Sequence, residues 1–252
     1  MRVRFLAVAF LLMGLIACSD AEQDTAEFRV TTINIQSRGT DDQAYGEPAM
    51  QALLFEMTPR EGHEDIYFSH AAKLRPILLQ QEGLIHLERF KSQSRPEVIL
   101  SHSLWRDEAA IARWRTNAEH HKSQTAGRYQ HFADYRILVA HVLQRHVQQE
   151  PMQEWGSVGF YNEAQTRPDR FILIVRTLKQ PQHADGEVFA SVTEADSFLI
   201  LQEVSSEQAG RDQVRDAQGN ADVQSAILSR VSRDYGMHDR TEAPQYFKPV
   251  ER

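Results

Sequence analysis

Residues 84–105, LIHLERFKSQSRPEVILSHSLW, decide the fold. Leu84 to Lys91 and Glu97 to Trp105 are rich in β-forming side chains, and the polar Ser92-Gln93-Ser94-Arg95-Pro96 between them predicts a hairpin turn. Outward on the N-terminal side, Ala52-Leu53-Leu54-Phe55-Glu56-Met57 reads as a strand, and Thr58-Pro59 followed by Glu61 signals a helix start. Ile66, Phe68, Ala71, Leu74 and Leu78 recur at three-to-four spacing, which carries that helix to about Gln81 with Gly83 as its C-cap. Pro76 lies inside it and predicts a kink after Arg75. Outward on the other side, Asp107-Glu108 place negative charge at the start of a second helix marked by Ala109, Ile111, Trp114 and Ala118 and ending near Gly127. Ala133 to Ala140 then opens a last strand. The order is βαββαβ, an α+β unit whose sheet carries helices on one face and leaves the other uncovered.

On these residues the chain resembles the antibiotic biosynthesis monooxygenase domain family over roughly residues 51–147. The likeness is carried by FEMTPREGHEDIYFSHAAKLRPILLQQEGLIHLERF, LSHSLWRDEAAIARWR and FADYRILVAHV, most specifically by Thr58 to Gly62 and Trp105 to Trp114. The resemblance implies a ferredoxin-like fold that pairs its uncovered sheet face into a dimeric α/β barrel. It also implies one of several roles, since the family mixes cofactor-free monooxygenases of quinol-like aromatics with haem-degrading enzymes. Trp114 matches a pocket tryptophan of the haem-degrading branch. Where that branch has an Asn on the first strand and a His on the second helix, this chain has Phe55 and Gln124, with His120 and His121 one turn earlier.

A shift of one hundred residues aligns Val98–Arg136 with Phe198–Gly236 without a gap, bringing Ala109/Ala209, Arg115/Arg215 and Asp134-Tyr135/Asp234-Tyr235 together. Both segments run strand, acidic helix start, helix, Asp-Tyr strand. Phe171 to Thr177 supplies a first strand for this second copy, and the short distance to Phe198 predicts that its first helix is shortened or lost. Two tandem copies, 50–148 and a degenerate 149–252, would close a pseudo-dimeric barrel within one chain; a homodimer is the other way to cover the sheet.

The N-terminus sets the expected compartment. Arg2 and Arg4 precede an apolar run from Phe5 to Ala17, too short to span a bilayer, that ends at Cys18. Residues 1–17 read as a secretory signal, and a cysteine at the cut site resembles the lipobox of bacterial lipoproteins, with Cys18 as the lipid anchor. Ser19 at the next position implies the outer membrane of a Gram-negative cell, on the periplasmic side. Residues 18–49 then read as a polar, acidic tether holding one strand-like run, Phe28 to Ile35. Cys18 is the single cysteine, so no disulfide is possible. The formal charge of −7 becomes about −9 when Arg2 and Arg4 leave with the signal, which excludes nucleic acid as a natural partner.

For chemistry, a turn centred on Ser94 sets His86 opposite His102, and even-numbered positions then share one face. That face carries His86, Glu88, Phe90, Val98, Leu100 and His102, an apolar surface with a few convergent polar groups. The odd face, Ile85, Leu87, Ile99 and Trp105, should lie under the helices. His86 or His102 is the expected base that removes a phenolic proton, with Glu88, Phe90, Phe55 and Trp114 shaping the pocket and neither metal nor other cofactor called for. His63 and His70 read as a solvated helix face. The expected activity is monooxygenation of a small aromatic, quinol-like molecule; the alternative is a non-catalytic barrel that binds a hydrophobic ligand or partner. A cavity reached by a polar group separates the first from the second.

Overall fold

In the computed structural model, which describes residues 49–156 and 168–244, β1 (Gln51–Pro59) lies between β3 (Ile99–Trp105) and β4 (Phe132–Val147), and β2 (Leu84–Ser92) flanks β3, all antiparallel. Helices α1 (Glu64–Leu79), α2 (Glu108–Thr116) and α3 (Ala118–Ala126) belong to this half. After the two-residue β5 (Gln153–Glu154), the second half supplies β6 (Phe171–Thr177), β7 (Glu187–Ser191), β8 (Phe198–Val204), α4 (Glu207–Gln218) and β9 (Val223–Gly236). Its strand order, β9-β6-β8-β7, repeats β4-β1-β3-β2. β2 pairs with β7 and β4 with β9, so the eight long strands close into one barrel. The fold is the expected one, with two ferredoxin-like copies making the dimeric-type barrel inside a single chain. The first helix of the second copy is absent: the chain passes from β6 to β7, a strand the sequence did not announce, without a helical turn.

The barrel interior is filled. Ala52, Leu54, Phe90, Leu100, Leu104, Leu138, Ile174, Phe189, Leu199 and Ile227 form one buried cluster drawn from both halves. The even face of the β2–β3 hairpin points into it as the alternation requires. The odd face packs under the helices, where Trp105, Ala110, Ile111, Trp114 and Val139 cluster with Leu53 and Leu87. Ile85 is the exception. A bulge between Leu84 and His86 reverses the alternation, so Leu84 joins the helix-side cluster and Ile85 turns to the barrel.

Three local expectations are corrected. The hairpin register is two residues off: Glu88, not His86, pairs with His102, and His86 pairs with Leu104. The cause is a turn displaced by one residue, from 92–96 to 93–97. Ser92 N–H donates to Val98 O at 3.0 Å and Ser92 Oγ accepts from Arg95 N at 2.9 Å, so Gln93 to Glu97 loop out and the centre moves to Arg95. Helix α1 starts at Glu64, because β1 runs on through Pro59 and Gly62 makes the corner at φ 75°; Pro76 is accommodated inside the helix, and Gln80 rather than Gly83 caps it. Gly83, at φ 90°, serves a close approach instead, since a Cβ there would stand 2.6 Å from that of Ala110.

The third correction positions the site. The expected single second helix is two, broken at Asn117, whose extended backbone (ψ 129°) ends α2 and whose Oδ1 accepts from Glu119 N and His120 N, both at 3.1 Å, to cap α3. A π-helical turn, Gly127–His131, then leads into β4. The expected signal, Cys18 and the Phe28–Ile35 strand, all within residues 1–48, lie outside the described residues.

Candidate functional site

Between the outer face of β1, β3 and β4 and the helices α1 to α3 lies a cavity of about 200 Å³. Its floor is the odd-numbered face: Leu53, Phe55, Leu87, Ser101, Ser103, Trp105, Tyr135 and Ile137. The walls come from Tyr67, His70, Leu74 and Leu78 of α1, Trp114 and Arg115 of α2, and His120 and Gln124 of α3. Arg128 and His131 of the π turn close one end, and Tyr235 and Arg240 of the second half reach the same space. Gly127 lets the π turn sit against the floor, because a Cβ there would fall 2.4 Å from the Phe132 ring. Phe55 meets Phe132 and Tyr135 edge-on at 5.8 and 5.9 Å, and its own ring offers no ligating atom.

The break at Asn117 turns His120 back over α2. Its ring stacks on Trp114 at 4.0 Å and 11°, and its Nδ1 lies 2.9 Å from Trp114 O. A carbonyl only accepts, so Nδ1 carries the proton and donates, which leaves Nε2 as the lone-pair nitrogen of a ring lining the cavity. The 3.3 Å contact from Gln124 Nε2 to the same Nδ1 is then not a donated bond. Burial lowers the imidazole to about 4, against a smaller upward push from the carbonyl, so the ring is neutral at pH 7. Near the other wall His131 is also lowered, by burial first and then by His70, His63 and Arg60, and its Nδ1 is 3.2 Å from that of His63. His63 and His70 are therefore not a plain solvated face.

Of the residues singled out from sequence, Phe55 and Trp114 line this cavity. His86, His102, Glu88 and Phe90 do not; they point into the barrel. There the two imidazoles lie 5.6 Å apart as diagonal neighbours. Glu88 is 3.6 Å from His86 and 2.7 Å from Arg176 of β6, and Arg176 also meets Glu194 and Ser197. His102 is 1 % exposed and held far below the usual histidine range by burial, with His86 and Arg176 adding to the effect. The sequence reading set the pocket on the barrel face of the sheet, whereas this cavity lies on the opposite, helix-covered face.

Residues passed over there are Tyr135, Tyr235, Arg128 and Arg240. A signal for two of them was present: Asp134-Tyr135 and Asp234-Tyr235 are the repeat's clearest shared dipeptide. In the β4–β9 ladder Tyr235 pairs with Ile137, so Tyr135 and Tyr235 stand on either side of the Arg136–Gly236 pair.

A family model for antibiotic biosynthesis monooxygenase matches residues 50–126. A curated relative, jasmonate monooxygenase ABM of Pyricularia oryzae, is 32% identical over 222 residues, covering 80% of this chain and all of that one. The chain belongs to the antibiotic biosynthesis monooxygenase family. Among solved structures, a putative monooxygenase from Fusobacterium nucleatum is similar at TM-score 0.38 and 7% identity, over 74% of this chain and 94% of that one. A Pseudomonas aeruginosa protein is similar at TM-score 0.35 and 14% identity, over 38% and 95%. The family model stops within the first copy, whereas the relationship to the Pyricularia oryzae protein extends through both.

Proposed function

We propose that this family member is a monooxygenase of a small ring compound bearing a weakly acidic O–H or C–H, that the cavity under α1 to α3 is its site, and that His120 Nε2 takes the proton. The observation that carries this reading is the half-buried, neutral His120, its tautomer fixed by Trp114 O and its ring stacked on the Trp114 indole. An imidazole lowered to about 4 is a weak base. The transfer is helped from the other side, since Arg115 and Arg128 line the cavity and make any group whose anion they face a stronger acid. The deprotonated substrate then gives electrons to O₂. A peroxide forms at carbon and loses water, so that a CH₂ group becomes C=O, with one oxygen atom in the product and the other in water. The substrate itself is the reductant, as in the cofactor-free members of the family the sequence resembles. Quinol-like aromatics suit the flat, aromatic walls, and the Pyricularia oryzae relative's name adds jasmonates to the compounds worth trying.

The test is oxygen uptake by the purified protein with a panel of naphthoquinols, anthrones and jasmonic acid, repeated with His120→Gln. The expected result is uptake with a panel member that falls roughly 10²- to 10⁴-fold in the variant, the usual worth of a positioned proton acceptor. His86→Ala and His102→Ala should retain most of the rate. Loss confined to those two variants would move the base to the barrel interior. Tight binding of panel members with no uptake would favour the non-catalytic reading.

We also propose that residues 1–17 are a cleaved signal, that Cys18 carries lipid, that 18–49 is a tether, and that the protein faces the periplasm from the outer membrane. The support is the leader itself: two arginines, an apolar run and a cysteine at the cut.

A further inference from the structure

Three tyrosines line the cavity, Tyr67, Tyr135 and Tyr235, and the first two are held by arginines. Arg89 Nε donates to Tyr67 Oη at 3.2 Å. Arg128 Nη1 donates to Tyr135 Oη, and Arg240 Nη1 donates to the same oxygen at 3.2 Å. Tyr235, from the second copy, differs. It is 7 % exposed, and among the described residues its hydroxyl has no hydrogen-bond partner. It pairs with Ile137 of β4, so its side chain leaves the sheet on the side of the cavity floor. Arg240 lies 5.2 Å over its ring, and the charges of Arg233, Arg115 and Arg240 act on its oxygen. Burial outweighs those arginines and holds the phenol above its ordinary range, so at neutral pH the hydroxyl keeps its proton.

A hydroxyl buried without a partner opposes folding, and a group left in that state marks a place where something outside the fold completes the bond. The Tyr135 oxygen is fixed by the two N–H groups it accepts, whereas the Tyr235 O–H can turn toward a ligand. We propose that Tyr235 is a further catalytic residue of this site: its hydroxyl donates to the ring oxygen of the substrate, a carbonyl or phenol oxygen, and stabilises the negative charge that collects there. The proposal deepens the monooxygenase reading and rests on the cavity being the substrate site. When His120 Nε2 takes the proton, the electron pair of the broken C–H or O–H bond comes to rest on that oxygen as an enolate or phenolate. Tyr235 keeps its own proton and only shares it. A donor in place before the charge develops needs no reorganisation, which is what makes such groups effective. The substrate class narrows accordingly: the acidic C–H stands beside a ring carbonyl, or the acidic O–H sits on an aromatic ring. The second copy has lost its own first helix and supplies the donor that completes the first copy's site.

The test uses the full-length protein and two probes of one ring: 4-nitrophenol, whose yellow phenolate reports its ionisation, and nitrobenzene, which lacks the phenol oxygen. With the protein in excess, bound 4-nitrophenol should ionise about one pH unit higher in Tyr235→Phe than in wild type, roughly a tenfold loss of phenolate relative to phenol and the lower end of what a hydrogen bond to a charged group contributes. Nitrobenzene, followed by calorimetry, should bind the two proteins within about twofold of each other, since the ring that shapes the wall is unchanged. The unfolding midpoint in urea should not fall, because the hydroxyl that is removed holds nothing in the fold. Equal ionisation of bound 4-nitrophenol in the two proteins would overturn the donor role and leave the cavity standing. Equal weakening of both probes, or a lowered midpoint, would make Tyr235 a wall residue tied into the fold and overturn the proposal as well. Failure of both probes to bind the wild-type protein would bring down the cavity as the substrate site, and this proposal with it.

Discussion

His141 offers a test of the helix-side face of the sheet that needs no substrate. It is 5 % exposed, and Gln51, itself 1 % exposed, donates one amide hydrogen to Ala49 O at 2.8 Å and the other to His141 Nδ1 at 2.7 Å. Nδ1 is therefore the unprotonated nitrogen. Adding a proton there breaks the Gln51 bond and buries a cation, and burial together with the charges of Arg230 and Arg233 lowers the imidazole to about 4. Above pH 6.5 the group is neutral whether the chain is folded or not. Between 6.5 and about 4 the unfolded chain takes up a proton that the folded one refuses, so stability falls as pH falls. From pH 7.5 to 4.5 the loss owed to this one residue is about 2.5 kcal/mol, a large share of an ordinary domain's stability. His141→Gln removes the titration and misaligns the Gln51 bond, so it should be less stable than wild type by about 1–2 kcal/mol at pH 7.5. By pH 4.5 the difference should vanish or reverse. Urea unfolding of both proteins across that range measures it, with the other buried histidines contributing equally to each. Stability curves that run parallel from pH 7.5 to 4.5 would refute the assignment.

Further outcomes concern the seams, the cavity and the leader. Arg176→Met should cost about 3–5 kcal/mol in urea unfolding by stranding Glu88 in the barrel, while Glu88→Leu with Arg176→Met together should recover most of that; equal losses in the single and double variants would contradict it. Gly127→Ala should destabilise the fold by about 1–3 kcal/mol by displacing Phe132, and should weaken any cavity ligand, since the π turn must lift off the floor. An unchanged melting curve would show that the turn has slack. Cys18→Ser should release the protein from the membrane fraction and leave its unfolding midpoint unchanged; a variant that still pellets would end the lipid-anchor proposal.

How far the sequence spoke depended on the kind of signal each feature leaves. The two faces of the hairpin were legible because alternation is a property of consecutive residues, and Phe90, Leu100 and His102 turned inward as their parity demands. Register was not, because it depends on how Ser92 and Arg95 bond within the turn, and nothing in the composition of Ser-Gln-Ser-Arg-Pro says at which residue the loop begins. The repeat, and the loss of its first helix, could be read from spacing alone. The cavity could not. It exists because Asn117 interrupts a helix that Ala118, Glu119 and Lys122 would happily have continued, and because Gly127 lowers the next turn onto the sheet. An asparagine ahead of Ala-Glu-His is a capping signal, readable in retrospect; the space it opens between His120 and Phe55 is a matter of packing.

The barrel is closed by two seams of very different length. β4 and β9 pair from Arg136 to Val147, whereas β2 and β7 share only Phe90 to Ser92 with Phe189 to Ser191. A ring parts at its shortest joint, and this one is reinforced by a clasp: Arg95, at the tip of the hairpin, holds Glu56 of β1 at 3.1 Å and Glu187 of β7 at 2.9 Å. In mechanical terms the molecule is a bracelet with a hinge at β4–β9 and a catch at Arg95, and the hinge is the side that carries Tyr135, Tyr235 and Arg240. Amide exchange should begin at the catch, so that the ring can spring without disturbing the side that lines the cavity.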